Sequence, residues 1–234
     1  MPVASHVALA AVVVVLTLAN VLNNRLMPSA YVLTSIVTTV VLLFLLRSAG
    51  VGWACAGLGR DSVRRGLTWG LLLIVAVAAC YLMGALLPVT RDLFLDRRVE
   101  NAGPGRLAFE VLVRIPVGTV LLEEVAFRGV LYALVRSEHG AVWATVVSSG
   151  LFGLWHVLPA SGVNTVNPLF TRIFGVGSLG TVIAVTAAVV AMALAGVILC
   201  ELQRRSGSLL APAALHWATN GLGFVTAYLV VNSR

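Results

Sequence analysis

Charge is scarce in this chain, and lysine is missing altogether. Only 11% of the residues are charged, 59% are hydrophobic, and the mean hydropathy is +1.00. Because a soluble domain carries about 25% charged residues, this chain lacks the polar surface that a water-soluble fold needs. The composition therefore excludes a soluble globular protein and predicts an integral membrane protein.

Two further signals are missing, namely closely spaced cysteines and a basic flank at the N-terminus. Cys55, Cys80 and Cys200 are an odd number without short spacing, so we interpret them as small apolar fillers and not as a disulfide framework or metal cluster. Residues 1–23 are apolar but lack the basic start of a secretory signal. We interpret them as the first membrane helix, with cleavage as the alternative.

The formal charge of +7 comes from 16 arginines against nine acidic residues. In a soluble protein such an excess would suggest nucleic acid as a partner. Here most arginines fall between apolar runs, as at Arg60, Arg64 and Arg65, where lipid headgroups lie. We therefore expect the lipid bilayer as a partner and no nucleic acid.

Long apolar runs predict membrane helices. Segments 66–87 and 179–200 contain no charge, and each reaches the roughly 20 residues that cross a hydrocarbon core. Strict alternation is missing, so helices are favoured over a barrel. We predict an all-α, polytopic transmembrane bundle of about seven helices (roughly six to eight), in a single integral membrane domain over residues 1–234. The predicted segments are 3–22, 30–46, 66–87, 107–135, 141–158, 179–202 and 208–231.

The linkers differ in character. Residues 48–66 carry a tryptophan and clustered arginines, which suits an interfacial segment. The linker 88–106 mixes charges with glycine and proline and predicts a surface loop. The linker 159–178 contains Asn164, Asn167 and Pro168 and is interpreted as a flexible lid.

The fourth segment is unusually long and unusually charged. Residues 107–135 would form a helix of about 43 Å at 1.5 Å per residue, and Pro116 and Gly118 predict a kink or break in it. An ionisable side chain at membrane depth is unfavourable and marks a candidate functional site. The charged residues under consideration are Glu110, Arg114, Glu123, Glu124 and Arg128.

The spacing of these charges separates two glutamates by role. Glu124 and Arg128 are four residues apart, so they share a helix face and can pair. Glu123 is rotated from Glu124 by about 100°, which leaves its carboxylate available for chemistry. The structural alternative is a charged staple between helices. For the pair Glu110 and Arg114, with the same spacing, we favour that staple.

Two later segments add histidines with a partner one turn away. The stretch "FGLWH" places Phe152 and His156 on one face, and "HWATN" does so for His216 and Asn220. A lone membrane histidine is more often an interhelix hydrogen-bonding contact. A glutamate, two histidines and an asparagine from three helices can, however, activate water and hold an oxyanion. The remaining histidines, which we interpret as peripheral, are His6 and His139.

The stretches "EEVAFRG", "FGLWH" and "HWATN", in this order, resemble the three motifs of the CPBP family. That family comprises the CAAX-protease and bacteriocin-processing (Abi) membrane proteins. The resemblance covers roughly residues 107–225, which would be the catalytic core. It implies an intramembrane endopeptidase like CAAX prenyl protease 2, located as a multi-pass protein in a bacterial plasma membrane.

The resemblance also implies roles for individual residues. Glu123 and His156 would activate the attacking water. His216 and Asn220 would stabilise the oxyanion. The residues that would shape the site are Glu124, Arg128 and Phe152.

The same residues do not decide whether the mechanism uses a metal cofactor. The sequence has no His-Glu-x-x-His, and a glutamate with two histidines can bind either water or zinc. We expect a glutamate-dependent mechanism without a metal. In the alternative, a metalloprotease, zinc would be held by Glu123, His156 and His216.

Two functions from other classes compete with the endopeptidase. One is a non-enzymatic membrane scaffold or bacteriocin-immunity protein, and the other is a small transporter in which the buried charges form a relay. An intact set of four polar side chains favours the enzyme, since a binding role would not need all of them. Its substrate would be a peptide or a membrane protein, whose sequence nothing in this chain specifies, and the oligomeric state is equally unspecified.

Overall fold

The computed structural model of the protein describes residues 5–233. Helices account for 86% of these residues, and no strand occurs among them. The prediction of an all-α fold is therefore confirmed. The first predicted segment began at residue 3, so its first two positions lie outside the described residues.

The described chain is a succession of helices joined by short turns and by two longer linkers. The main α-helices are α1 (Ser5–Val21), α2 (Tyr31–Ser48), α3 (Val63–Leu86), α4 (Pro104–Phe109), α5 (Tyr132–Trp155), α6 (Gly177–Ser206), α7 (Leu210–Trp217) and α8 (Gly223–Asn232). Wider π-helical turns extend or join them at Leu22–Leu26, Glu110–Leu121, Glu124–Leu131 and Ala218–Leu222. The connections also hold short helical turns at Pro28–Ala30, Arg60–Ser62, Pro88–Arg91, Asp92–Phe94, Arg97–Val99, Val163–Val166 and Pro168–Phe174.

Four helical runs within residues 5–233 are long and apolar enough to cross a membrane. They are Ser5–Leu26, Pro28–Ser48, Arg60–Leu86 and Gly177–Ser206. At most 28% of the apolar window in any of them is buried inside the protein. Their outer faces are therefore apolar, as lipid contact requires. The prediction of a bundle of about seven transmembrane helices is not confirmed by these four runs.

The charged fourth segment lies on a continuous helical run, residues 104–131, which we call the glutamate helix. The predicted kink or break at Pro116 is not a break, because the chain passes through this proline inside the π-helix Glu110–Leu121. A kink at this position stays a prediction. Hydrogen bonds in a π-helix run from i to i+5, so the wider turn accommodates a residue that an α-helix does not tolerate. Gly118 serves close packing, since a Cβ there would lie 2.8 Å from the Tyr31 ring.

The boundary between the fourth and fifth predicted segments falls at Gly140. This residue has φ 81° and ψ 177° inside α5, a backbone conformation that glycine adopts readily and other residues rarely do. The helix is interrupted there, and the second part of α5 runs back to Trp155. It thereby brings the stretch "FGLWH" against the glutamate helix.

Packing between helices forms one main core around the glutamate helix. α5 packs along α6, α7 packs along α3, and α2 packs along the π-helix Glu110–Leu121. Phe127 and Leu131 are buried in this core together with Leu42 of α2 and Leu199 of α6. The second half of the glutamate helix is thus surrounded by the others, which places Glu123, Glu124 and Arg128 inside the protein.

Both predicted loops contain more structure than expected. The linker 88–106 holds short helical turns and the start of α4, and the linker 159–178 holds Val163–Val166 and Pro168–Phe174. Asn167 connects the two, because its Nδ2 donates to the carbonyl of Leu93 over 3.0 Å. The prediction that residues 159–178 are a flexible lid stays a prediction.

Candidate active site

Two adjacent glutamates lie at the centre of the site. Only 4% of Glu123 and 2% of Glu124 is exposed, so the predicted position of Glu123 inside the bundle is confirmed. The two side chains leave the glutamate helix in different directions, as a rotation of about 100° per residue requires. Each therefore has a different set of neighbours.

Glu124 is paired with Arg128 as its spacing predicts. Arg128 Nη1 lies 3.2 Å from Glu124 Oε1, and the arginine side chain is fully buried. The guanidinium carbon is 3.9 Å from the centre of the Phe152 ring, a cation–π contact. No nitrogen of the guanidinium has a hydrogen-bond partner among residues 5–233. The pair is therefore held by charge and by the aromatic face.

His216 lies between the two glutamates. Its Nδ1 is 2.7 Å from Glu124 Oε1, and its Nε2 is 3.8 Å from Glu123 Oε2. When Glu124 is ionised, its carboxylate can only accept a hydrogen bond, so Nδ1 is then the donor and Nε2 of the neutral ring has a free lone pair. The contact of His216 with the two glutamates was not predicted, since the sequence analysis paired His216 only with Asn220.

Trp155 is a site residue that the sequence analysis missed. Its indole Nε1 donates to Glu123 Oε1 over 3.0 Å, and only 7% of the residue is exposed. The other carboxylate oxygen, Glu123 Oε2, has no hydrogen-bond partner in the described part of the chain. A signal was present, because a tryptophan in the middle of an apolar segment needs an acceptor for its N–H.

Phe152 and His156 share a face as predicted, with ring centres 4.7 Å apart. The Phe152 ring also faces His216 at 6.2 Å, so it lies between the two histidines. His156 Nδ1 is 2.8 Å from the carbonyl of Phe152. Among the described residues, His156 forms no ion pair with Glu123 or Glu124. The structure therefore does not bring His156 directly onto the carboxylate that it was predicted to assist.

Asn220 follows His216 by one turn, in the π-helical turn Ala218–Leu222. It is exposed, and its side chain forms no hydrogen bond with another residue of the range 5–233. Its role in catalysis stays a prediction. His6 and His139 are both exposed, as their peripheral assignment predicts.

The part of the chain that contains the three motifs and the two buried glutamates matches a known family. Residues 106–222 match the family "type II CAAX prenyl endopeptidase Rce1-like". This chain belongs to that family. The match spans half of the chain and includes all three motifs, so the resemblance seen in the sequence is confirmed. No curated protein and no solved structure matches the chain.

Membership in this family, together with the four apolar helical runs, makes the chain a membrane protein of the CAAX-protease type. Within residues 5–233, no three histidine, cysteine, aspartate or glutamate side chains are grouped to hold a metal ion. Catalytic zinc sites use three protein ligands. Here His216 approaches both Glu123 and Glu124, whereas His156 forms no ion pair with either glutamate in the described part of the chain. The expectation of a mechanism without a metal stays a prediction.

Proposed function

We propose that this protein is an intramembrane endopeptidase that hydrolyses a peptide bond of a membrane-associated substrate, with Glu123 as the general base. The supporting observation is the environment of the Glu123 carboxylate. Trp155 holds its Oε1, whereas its Oε2 is buried without a hydrogen bond and faces His216 Nε2. One oxygen is therefore fixed, and the other is available to accept a proton from water.

The reaction then proceeds in two proton transfers. Glu123 accepts a proton from the water while the water oxygen bonds to the carbon of the scissile carbonyl, which generates a tetrahedral oxyanion. When that intermediate collapses, the carbon–nitrogen bond breaks, and the proton on Glu123 moves to the leaving amine. Glu123 returns to its ionised state, so atoms and charge balance over the cycle.

The two histidines have different positions for this reaction. His216 is the nearer one to Glu123, and Glu124 fixes its orientation. Its proposed oxyanion role requires the protonated ring, because only then does Nε2 donate, and the two neighbouring carboxylates would balance that charge. His156 and Asn220 are more exposed, so we propose that they contact the substrate from the open side of the site.

The proposal includes the setting of the enzyme. The four apolar helical runs support a multi-pass arrangement, and the family supports a peptide substrate within or beside the bilayer. A bacterial plasma membrane is the location that we propose on the basis of the motif resemblance.

The proposal is tested by Glu123→Gln, which keeps the shape of the side chain and removes the proton acceptor. Membranes from cells that express the wild type or the variant are compared by profiling of protein N-termini. New N-termini should be generated about 10²–10⁴-fold more slowly by the variant, the range typical of a lost general base. Glu138→Gln, at an exposed position, is the matched control and should retain activity.

A scaffold or immunity protein gives a different result in that experiment. Glutamine hardly changes the surface, so a binding protein would rescue a deletion phenotype equally well with either side chain. Full rescue by Glu123→Gln at normal membrane abundance, without any difference in N-termini, would refute the endopeptidase.

The proposed mechanism is independent of metal, and a chelator tests this point. Treatment of the purified protein with a strong chelator should leave its cleavage rate unchanged, and elemental analysis should detect no stoichiometric zinc. Loss of activity that added zinc restores would show that metal ligands compete with the chelator, and the glutamate mechanism would then be wrong.

A further inference from the structure

The indole of Trp155 is the only hydrogen-bond donor to Glu123 among residues 5–233. Nε1 reaches Oε1 over 3.0 Å, and both residues are buried. A hydrogen bond to an ionised group contributes more free energy of stabilisation than a hydrogen bond between neutral groups. The orientation of the Glu123 carboxylate therefore depends on this single contact.

Trp155 is held by contacts on its backbone and on its ring. On the backbone side, Asn20 Nδ2 of α1 donates to the carbonyl of Trp155 over 2.9 Å. The Phe127 ring meets the indole edge-on, with ring centres 5.8 Å apart. Trp155 also borders a cavity of about 290 Å³ between α1 and α5, lined by Thr17 and Leu151 among others. The residue is thus part of the core and has open space beside it, and its hydrogen bond to Glu123 sets the direction of the indole N–H.

We propose that Trp155 is a positioning residue for the general base, an inference that rests on the proposed function. By holding Oε1, the indole N–H turns the carboxylate so that Oε2 faces His216. Without this donor, the carboxylate is free to rotate about its terminal bond, and Oε2 leaves the productive orientation more often. Asn20 lies outside the matched range 106–222, so α1 supports the catalytic centre from beyond the family's shared region.

The first test removes the N–H and keeps the shape. Trp155 is replaced by benzothienylalanine, an indole isostere with sulfur in place of the N–H, and separately by phenylalanine. Cleavage of a fluorogenic peptide that contains a farnesylated cysteine followed by three residues is measured in proteoliposomes. Both variants should show kcat lowered about 10- to 100-fold, as for one hydrogen bond to a charged group. KM should stay unchanged, because substrate contacts are retained.

Trp217→Phe is the matched control. The Trp217 indole also donates one hydrogen bond over 3.0 Å, but its acceptor is the backbone carbonyl of Val111. This variant loses a comparable bond without touching Glu123, so its stability should fall while kcat stays near the wild-type value. Equal losses of kcat in the Trp155 and Trp217 variants would mean a purely structural effect and would overturn the proposal.

A second measurement tests the contact without any substrate. In lipid nanodiscs, the indole ¹H–¹⁵N signal of Trp155, assigned by its loss in Trp155→Phe, should lie downfield. It should shift in Glu123→Gln more than any other indole signal. An unchanged signal would overturn the proposal, as would a shifted signal combined with wild-type kcat in the benzothienylalanine variant.

The two proposals fail in distinguishable ways. If the wild type cleaves the peptide faster than Glu123→Gln but no faster than the Trp155 variants, only the positioning role is wrong. If the wild type and Glu123→Gln cleave this peptide at the same rate and also generate new N-termini in membranes at the same rate, the endopeptidase itself is refuted. The role of Trp155 then falls with it, whatever the indole signal shows.

Discussion

Two Glu–Arg pairs with the same spacing lie on one helix of this protein, and their surroundings differ. The pair Glu124–Arg128 is separated by 3.2 Å, with side chains 2% and 0% exposed, and Glu110–Arg114 by 3.0 Å, with 11% and 45% exposed. Both arginines also lie over an aromatic ring, of Phe152 at 3.9 Å and of Tyr31 at 4.8 Å. The spacing and the aromatic contact are alike, but two features separate the pairs. The guanidinium of Arg114 donates a hydrogen bond to Glu110, whereas that of Arg128 donates none within residues 5–233, and only the Glu124–Arg128 pair is fully buried.

Burial changes what each pair contributes. An exposed pair is screened by its surroundings and contributes little to stability. A buried pair is not a large source of stability either, but removing one partner leaves an uncompensated charge, which is strongly destabilising. The inner pair is, in addition, joined to His216 and so to Glu123, whereas no hydrogen bond or ion pair within residues 5–233 joins the outer pair to His216.

The largest effect is expected from Arg128→Ala. The substitution leaves Glu124 buried without its cation, which costs about 3–5 kcal/mol in soluble proteins. We expect little folded protein in the membrane and no activity. Membrane abundance is measured by immunoblot. Thermal stability is measured as the temperature at which half of the monodisperse peak in size-exclusion chromatography is lost.

Arg136→Ala is the control for that experiment, since Arg136 lies two turns further along the chain, in α5, at an exposed position. It should leave abundance and thermal stability unchanged. Normal yield and stability of Arg128→Ala would contradict the structural role of the inner pair and remove the basis of the comparison.

The second expected effect separates the two motif histidines. Loss of either should lower cleavage about 10²–10³-fold, as for one group that stabilises the transition state. His216→Ala should also lower thermal stability, because Glu124 loses its 2.7 Å contact with Nδ1. His156→Ala should not, since this histidine is partly exposed and contacts no carboxylate in the described part of the chain.

Melting temperatures of the two variants in nanodiscs, measured beside their cleavage rates, check this prediction. Equal stability of both variants would mean that His216 is not bound into the inner pair. Loss of activity in His216→Ala alone would assign the chemistry to that histidine and leave His156 as a packing residue beside Phe152.

The sequence predicted the contacts that depend on one helical turn. Both Glu–Arg pairs and the contact between Phe152 and His156 follow from four-residue spacing, because one turn brings such residues together in any helix. The interior position of Glu123 followed from the rarity of charge in an apolar chain. These inferences required no knowledge of how the helices pack.

Contacts between helices could not be predicted from the sequence in the same way. His216 meets Glu124 across 92 residues, and Trp155 meets Glu123 across 32, so both depend on the relative rotation of three helices. The apolar patterns left that rotation undetermined. The continuity of the helix at Pro116 was not predictable for a related reason. Proline disrupts an α-helix, but here it lies in a π-helix, which the composition does not indicate.

The smallest effect is expected from Arg114→Ala, at the outer pair. Its side chain is 45% exposed, so losing the pair with Glu110 should change the free energy of unfolding by about 0–1 kcal/mol. The cation–π contact with Tyr31 adds little at such an exposure. Cleavage rate and thermal stability should both stay close to wild type, measured beside Arg128→Ala in the same nanodiscs. A loss of stability as large as that of Arg128→Ala would show that the outer pair is buried in the membrane-embedded protein. A normal stability with a clear rise in KM would instead show that Arg114 contacts the substrate, and the two pairs would then differ in function and not only in burial.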